Sequence, residues 1–268
     1  MSGWSDSGSW TGEKLRRDVF FFPSGGDDLY GSIYAPPSGE PSLGVVFCNS
    51  WGFEGNQAGR IVHWVSYGLA LAGGAGFCFH YPGFGDSHGD FADASLERLA
   101  EAAVDATAEA ARRHPQTRWV VAGLMLGGSI AALATDRGAD VEDLLLVQPN
   151  LRPAKYFARL ERASRRSIGD PPPADGFAYG YPLGSGLLDS AAAADAQVEG
   201  ALSRFAGVGT IVRYENPAEL DGAPERFHKI SVPGTWRFGK EEAPELIRGT
   251  SAWLRKGSGL LTRPAASA

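Results

Sequence analysis

Cysteine is scarce in this 268-residue chain: Cys48 and Cys78 are the only two, and both fall inside apolar runs that read as strands. That pattern excludes a disulfide framework and reads as small buried apolar residues in a reduced compartment. Positive charge is not in excess, with 25 Lys and Arg against 31 Asp and Glu and a net charge of −6, which argues against a nucleic-acid binder or a polybasic membrane partner. No apolar run approaches the length that spans a bilayer. The opening Met1-Ser2-Gly3-Trp4-Ser5-Asp6 has neither the basic nor the apolar stretch of a signal peptide, so a cytoplasmic location is expected. Metal-ligand spacing is absent from the five histidines and two cysteines, and no metal is expected. The glycine-rich stretch Ala72-Gly73-Gly74-Ala75-Gly76 leads from helix to strand, opposite to a dinucleotide-binding turn, and no cofactor is expected.

What is present is an alternation of strands and helices long enough to bury one full core. Strands are expected over Arg17–Phe22, Leu29–Ala35, Val45–Cys48, Gly76–His80, Trp119–Ala122, Leu144–Gln148, Gly209–Tyr214 and His228–Val232. Helical patterns cover Ile61–Ala72, Ser95–Arg113 with Ser95 as cap, Lys155–Arg166, Ser190–Phe205 and Pro244–Leu254. From about residue 43 the alternation predicts βαβ units, a mainly parallel twisted sheet and helices on both faces. Residues 1–15 are Ser-, Gly- and Trp-rich, and they and the tail 256–268 are expected to be flexible, leaving a domain over 16–255. The segment at about 151–205 breaks the rhythm and is expected to form a small cap over the sheet's carboxyl edge.

One stretch carries most of the functional information. Gly123-Leu124-Met125-Leu126-Gly127 places glycines four apart between a strand and a helix, the context of a G-x-S-x-G nucleophile elbow, yet Met125 stands where the serine would be. A thioether cannot be activated by a base. Ser129, one turn further on, is expected to bond a backbone carbonyl rather than act as a nucleophile.

With Val45 to Gly52 in the place of a strand and oxyanion loop, and His80-Tyr81-Pro82-Gly83-Phe84-Gly85-Asp86-Ser87 as a tight turn, the chain resembles the α/β-hydrolase fold from about residue 17 to 255. Glu54-Gly55-Asn56, Gly180-Tyr181-Pro182-Leu183 and Val232-Pro233-Gly234-Thr235-Trp236 are similar to the exosortase A-associated hydrolase branch, which lacks the elbow serine. The resemblance implies a nucleophile position at Met125, a base position at Trp236 and a candidate acid at Glu215. It also implies oxyanion donors in the backbone N–H groups of Trp51 and Leu126, with Ser50, Glu54 and His80 near the pocket. His63 could face that pocket or solvent, and His88 is expected to be exposed. Arg159, Arg162, Arg165 and Arg166 read as a solvated surface more than as an anion clamp.

A degenerate Ser-His-acid site follows, and with it three open uses. The first is an ester- or thioester-class enzyme with an unusual nucleophile or activated water. The second is a lyase or cyclase moving protons through Glu54, His80 or Glu215. The third is a non-catalytic protein, a pseudoenzyme, that binds a ligand or partner around Trp51, Phe53 and Trp236. In each case the expected ligand is a small molecule with an acyl or carbonyl group; the sequence sets no oligomeric state.

Overall fold

The structure, a computed structural model, describes residues 7–11, 14–167, 176–214 and 223–232. Among these residues, eleven strands and five α-helices follow one another as β1 (Ser7–Thr11), β2 (Arg16–Ser24), β3 (Asp27–Ala35), β4 (Leu43–Cys48), α1 (Gly52–Leu71), β5 (Ala75–Phe79), α2 (Leu96–Arg113), β6 (Arg118–Leu124) and α3 (Leu126–Asp136), then β7 (Asp143–Val147), α4 (Pro153–Ser167), β8 (Phe177–Ala178), β9 (Tyr181–Pro182), α5 (Ser185–Arg204), β10 (Val208–Tyr214) and β11 (His228–Val232). Nine strands form one sheet in the order β1-β2-β3-β5-β4-β6-β7-β10-β11. The pairings from β5 to β11 are parallel, whereas β1, β2 and β3 join antiparallel, so the mainly parallel sheet read from the βα rhythm is the one observed.

Successive residues of a strand point to opposite faces, and the core divides accordingly. Val46, Cys48, Val121, Leu144 and Leu146 face the side covered by α2 and α3, whereas Val45, Phe47, Val120, Ala122 and Leu145 share a cluster with Ala58, Val62 and Leu69 of α1. Within α1 the buried residues Gly55, Ala58, Val62, Ser66 and Leu69 recur at three and four, which lays one stripe of the helix on β5 and β3. Ser95 caps α2 as its sequence position predicts, its hydroxyl accepting from the Arg98 N–H at 3.2 Å.

Two differences from the sequence reading have clear physical reasons. β1 lies in the stretch expected to be flexible: Ser-Gly-Ser-Trp-Thr has no apolar alternation, and its placement comes from backbone pairing along β2. α1 begins at Gly52, nine residues before Ile61, because two glycines and an asparagine in its first turns disguise a helix start. Gly55 is needed there, since a Cβ on it would lie 2.4 Å from the Ser50 carbonyl oxygen. The expected helix Pro244–Leu254 and the tail from Lys256 lie outside the described residues.

The chain runs from β4 through α1 to β5 on one side, then crosses the other face through α2 to reach β6 on the opposite side of β4. The strand order therefore reverses between β4 and β6, and in open α/β sheets the crevice at the carboxyl ends of such strands is where ligands bind. Trp51 follows β4 and Met125 follows β6.

Candidate functional site

Met125 occupies the turn between β6 and α3 with φ 54° and ψ −117°, a left-handed conformation that a side chain disfavours. Its main chain is held on every side. The Met125 N–H donates to the Val147 carbonyl at 3.0 Å, and its own carbonyl accepts from Gly128 at 3.0 Å and Asn150 at 2.8 Å. α3 then starts hard against the end of β4: a Cβ on Gly127 would lie 2.0 Å from the Cys48 oxygen and 2.5 Å from that of Asn49. Leu126 is the first helical residue, so its N–H has no carbonyl four residues back within α3, and neither α3 nor α1 has a side-chain cap at its N-terminus. Ser129 is fully buried and donates its hydroxyl to the Asn150 carbonyl, as expected of a hydroxyl in a helix interface.

Trp51, the residue before α1, is 2% exposed and forms the centre of an aromatic cluster. Its ring lies 4.3 Å from that of Phe91, 6.0 Å from Phe157 of α4 and 6.3 Å from Tyr181 of the β8–β9 hairpin. Glu54 stands in the first turn of α1, where a carboxylate complements the helix dipole. The Tyr156 hydroxyl of α4 donates to its Oε2 at 2.9 Å, and the Ser50 hydroxyl approaches the same oxygen at 3.4 Å. Burial raises the Glu54 carboxyl above its ordinary range, against the lowering effects of the Tyr156 bond, the Arg159 charge and the Ser50 bond. Burial and the neighbouring Glu54 charge together push the Tyr156 phenol well above its usual value.

Ser50, besides its approach to Glu54, shares a second set of walls with His80. They line a cavity of about 140 Å³ between α1 and the ends of β4 and β5, together with Asn49, Asn56, Arg60 and His63. Among the described residues, Met125, Leu126, Trp51 and Glu54 are not in those walls. The His63 side chain is fixed toward the cavity by Tyr34, whose hydroxyl is 3.2 Å from Nδ1. Burial, with Arg17 and His80 nearby, lowers His63 to about 4. His80 is lowered by burial against the pull of Asp86, and its Nδ1 accepts the Asp86 N–H at 3.1 Å. Ser87 braces the same turn, donating to the His80 carbonyl at 2.8 Å, and His88 is exposed as anticipated.

Met125 and Leu126 lie at the elbow, Trp51 and Glu54 pack against α4, and Ser50, in contact with Glu54, lines the cavity with His80. Glu215 and Trp236 lie outside the described residues. Tyr156, Asn49, Arg60 and Tyr34 had no local sequence signal, because each reaches its neighbours only through the fold. Cys48 and Cys78 are free and buried, and burial pushes both thiols up to about 12. The arginines of α4 are exposed, with Arg165 paired to Glu161 at 2.8 Å. Among the described residues no helix is long and apolar enough to cross a membrane, and no cluster of three or more His, Cys, Asp or Glu is placed to hold a metal ion.

No protein-family model matches the chain, and no curated protein matches it. Solved structures do. Est1E from Butyrivibrio proteoclasticus, in a structure with ferulic acid bound, superposes with a TM-score of 0.62 at 16% identity over 90% of this chain and 99% of that one. An alpha-beta serine hydrolase homologue from Coxiella burnetii gives 0.60 at 16% identity over 89% and 96%. Dienelactone hydrolase from Anabaena variabilis gives 0.58 at 13% identity over 91% and 99%. At such identities the likeness speaks for architecture alone, and with the strand order it establishes that the chain has the α/β-hydrolase fold.

Proposed function

We propose that this protein binds, or acts on, a small molecule with an acyl or carbonyl group at the β4–β6 crevice, without a Ser-His-acid mechanism. The observation that carries the reading is Met125 at the apex of the elbow, a thioether at φ 54° between β6 and α3. The nearby alternatives are unsuited to attack: the Ser129 hydroxyl is buried and committed to a carbonyl, and the Cys48 thiol is held protonated in a strand. The N–H groups of Trp51 and Leu126, at the starts of α1 and α3, are the proposed donors to a substrate carbonyl oxygen. In this reading α4 and the β8–β9 hairpin form a cap, which Phe157 and Tyr181 seat on Trp51. Trp236 is proposed for the base position and Glu215 for the acid on sequence alone. The ferulic acid bound to Est1E supports an acyl-type ligand. The exosortase A-associated branch remains the narrower resemblance that the elbow and the Trp236 stretch support.

A proton-transfer role, as in a lyase or cyclase, is favoured by one specific feature. Glu54 is a carboxyl raised by burial, bonded to Tyr156 and beside Ser50, an arrangement of the kind that serves proton transfer.

The test is incubation with a fluorophosphonate probe and with p-nitrophenyl acetate and butyrate. No adduct and no burst are expected from the wild type or from Met125→Ser, since the mutant gains an oxygen but no imidazole. An adduct mapped to Ser50 or Ser129, or esterase activity in the mutant, would overturn the proposal. Melting shifts with acyl compounds that show no turnover would favour binding alone.

A further inference from the structure

Neither Met125 nor Leu126 lines the cavity beneath α1, and most of its polar lining is already committed. Asn49 Nδ2 donates to the Gly55 carbonyl at 2.9 Å while its Oδ1 accepts from the Ser50 N–H at 2.9 Å. The Tyr81 hydroxyl donates to the Asn49 carbonyl at 3.1 Å, and Asn56 donates to the Tyr181 hydroxyl. Four groups are left to meet a ligand: the Nε2 atoms of His63 and His80, which have no partner among the described residues, the Arg60 guanidinium, exposed and in no ion pair among them, and the Oδ1 of the exposed Asn56.

The two imidazoles and the guanidinium are the donors among them, and Asn56 Oδ1 is the acceptor. The Asp86 N–H needs a lone pair on His80 Nδ1, so the neutral ring carries its proton on Nε2. The Tyr34 hydroxyl, 3.2 Å from His63 Nδ1, supports the same tautomer when it acts as the donor of that pair. Both histidines are pushed down by burial and so meet a ligand at pH 7 as neutral N–H donors. Arg17, over the Tyr34 ring at 5.1 Å, adds positive potential behind them. The Asp86 carboxylate lies 3.8 Å from His80 Nδ1, on the far side of the ring, and is 69% exposed. The remaining walls are apolar, with Phe47, Val62, Phe79 and Phe84. A cavity of about 150 Å³ accommodates benzene in another protein, so about 140 Å³ here takes a body of similar size.

We infer that this cavity is a second ligand site, for a small organic monocarboxylate whose apolar part lies against Phe47, Val62, Phe79 and Phe84 and whose carboxylate is bound by His63, His80 and Arg60. With the His63, His80 and Arg60 donors set against the single Asn56 Oδ1 acceptor, the site complements an anion. Its apolar walls favour a carboxylate with a hydrocarbon body over a fully polar oxyanion. The inference does not depend on the elbow reading, because Met125, Leu126, Trp51 and Glu54 form none of these walls.

The experiment is titration calorimetry of the full chain with sodium butyrate and sodium benzoate, with butan-1-ol and benzyl alcohol as neutral counterparts and inorganic phosphate as a polar anion. Imidazole ¹⁵N spectra are recorded alongside. Both carboxylates are expected to bind saturably and to shift the Nε2 resonances of His63 and His80. The alcohols and phosphate should bind about tenfold more weakly, as expected when a charge-assisted bond or the apolar contact is lost. Arg60→Gln, on the exposed face of α1, should weaken the carboxylates about tenfold at an unchanged melting temperature. Four results would each overturn the inference: no saturable binding; alcohols binding as well as carboxylates; phosphate binding as well as carboxylates; or resonance shifts at the Met125 methyl with both histidines unmoved.

Discussion

Tyr156 on α4 and Glu54 on α1 are 102 residues apart in sequence, yet the Tyr156 hydroxyl donates to Glu54 Oε2 at 2.9 Å. The bond joins the helix that follows β7 to the first turn of the helix that follows β4, and it accounts for much of the partnership of a buried carboxyl. Tyr156→Phe should leave Glu54 short of a donor and destabilise the fold by about 1–3 kcal/mol in urea unfolding at pH 7. Glu54→Leu should cost a similar amount through the stranded phenol. The double variant should cost less than the sum of the two, with a coupling of at least about 0.5 kcal/mol. Simple additivity would mean the two groups do not depend on one another.

The elbow makes a second, geometric demand. A Cβ on Gly127 would meet two main-chain oxygens, those of Cys48 and Asn49, and neither can rotate away. Gly127→Ala should therefore cost more than about 3 kcal/mol or yield no soluble protein. Gly68 in α1 is the contrast, with open space where its Cβ would be. Gly68→Ala should stabilise by about 0.5–1 kcal/mol, from helix propensity alone. Equal effects of the two substitutions in thermal unfolding would argue against close contact between α3 and the end of β4.

His63 gives the fold a pH signature. Its pKa is lowered to about 4 in the folded protein, against an ordinary value of 6.5. The unfolded chain therefore binds the extra proton first as the pH falls, so stability contributed by the neutral ring is present above about 6.5 and is lost progressively toward 4. The loss is at most about 1.4 kcal/mol per pH unit, and less to the extent that solvent reaches the ring. Glu54, raised by burial, acts in the opposite sense, because its folded state holds the proton longer. Melting temperatures of wild type and His63→Gln across pH 7.5 to 4.5 separate the two. The wild type should lose stability relative to the variant as the pH falls, and parallel curves would show that the histidine titrates normally.

The legible parts of this chain were those whose signals are local. The run Val45-Val46-Phe47-Cys48 reads as a strand covered on both faces because all four residues are buried, and Ser95 reads as a cap because its hydroxyl serves a donor three residues away. The start of α1 was not legible. Gly52, Gly55, Asn56 and Gly59 have low helix propensity, and the helix gains there by packing against the Ser50 carbonyl, a contact no window of sequence contains. The orientation of His63 depends in the same way on Tyr34, from a strand 29 residues earlier. The elbow was readable as a turn from its glycines, whereas the meeting of Ser50 and His80 in one cavity wall depends on how the ends of β4 and β5 sit beneath α1.

The conformation of Met125 itself yields the most discriminating measurement. A non-glycine residue at φ 54° and ψ −117° stores strain, typically about 1–3 kcal/mol, that the surrounding bonds must hold in place. Those bonds are present: the Met125 N–H and carbonyl engage Val147, Gly128 and Asn150. Met125→Ala and Met125→Gly both remove the thioether and its packing, so their difference isolates the backbone. Glycine loses about 0.5–1 kcal/mol more chain entropy on folding, yet it adopts this conformation without penalty. If strain exceeds that entropy, Met125→Gly should be the more stable of the two by about 1 kcal/mol in urea unfolding at equal m-values. An alanine variant as stable as the glycine variant would mean that the turn relaxes when the side chain is shortened. A glycine variant that is the more stable of the two would show that the hydrogen bonds to Val147, Gly128 and Asn150 hold the strained apex in place.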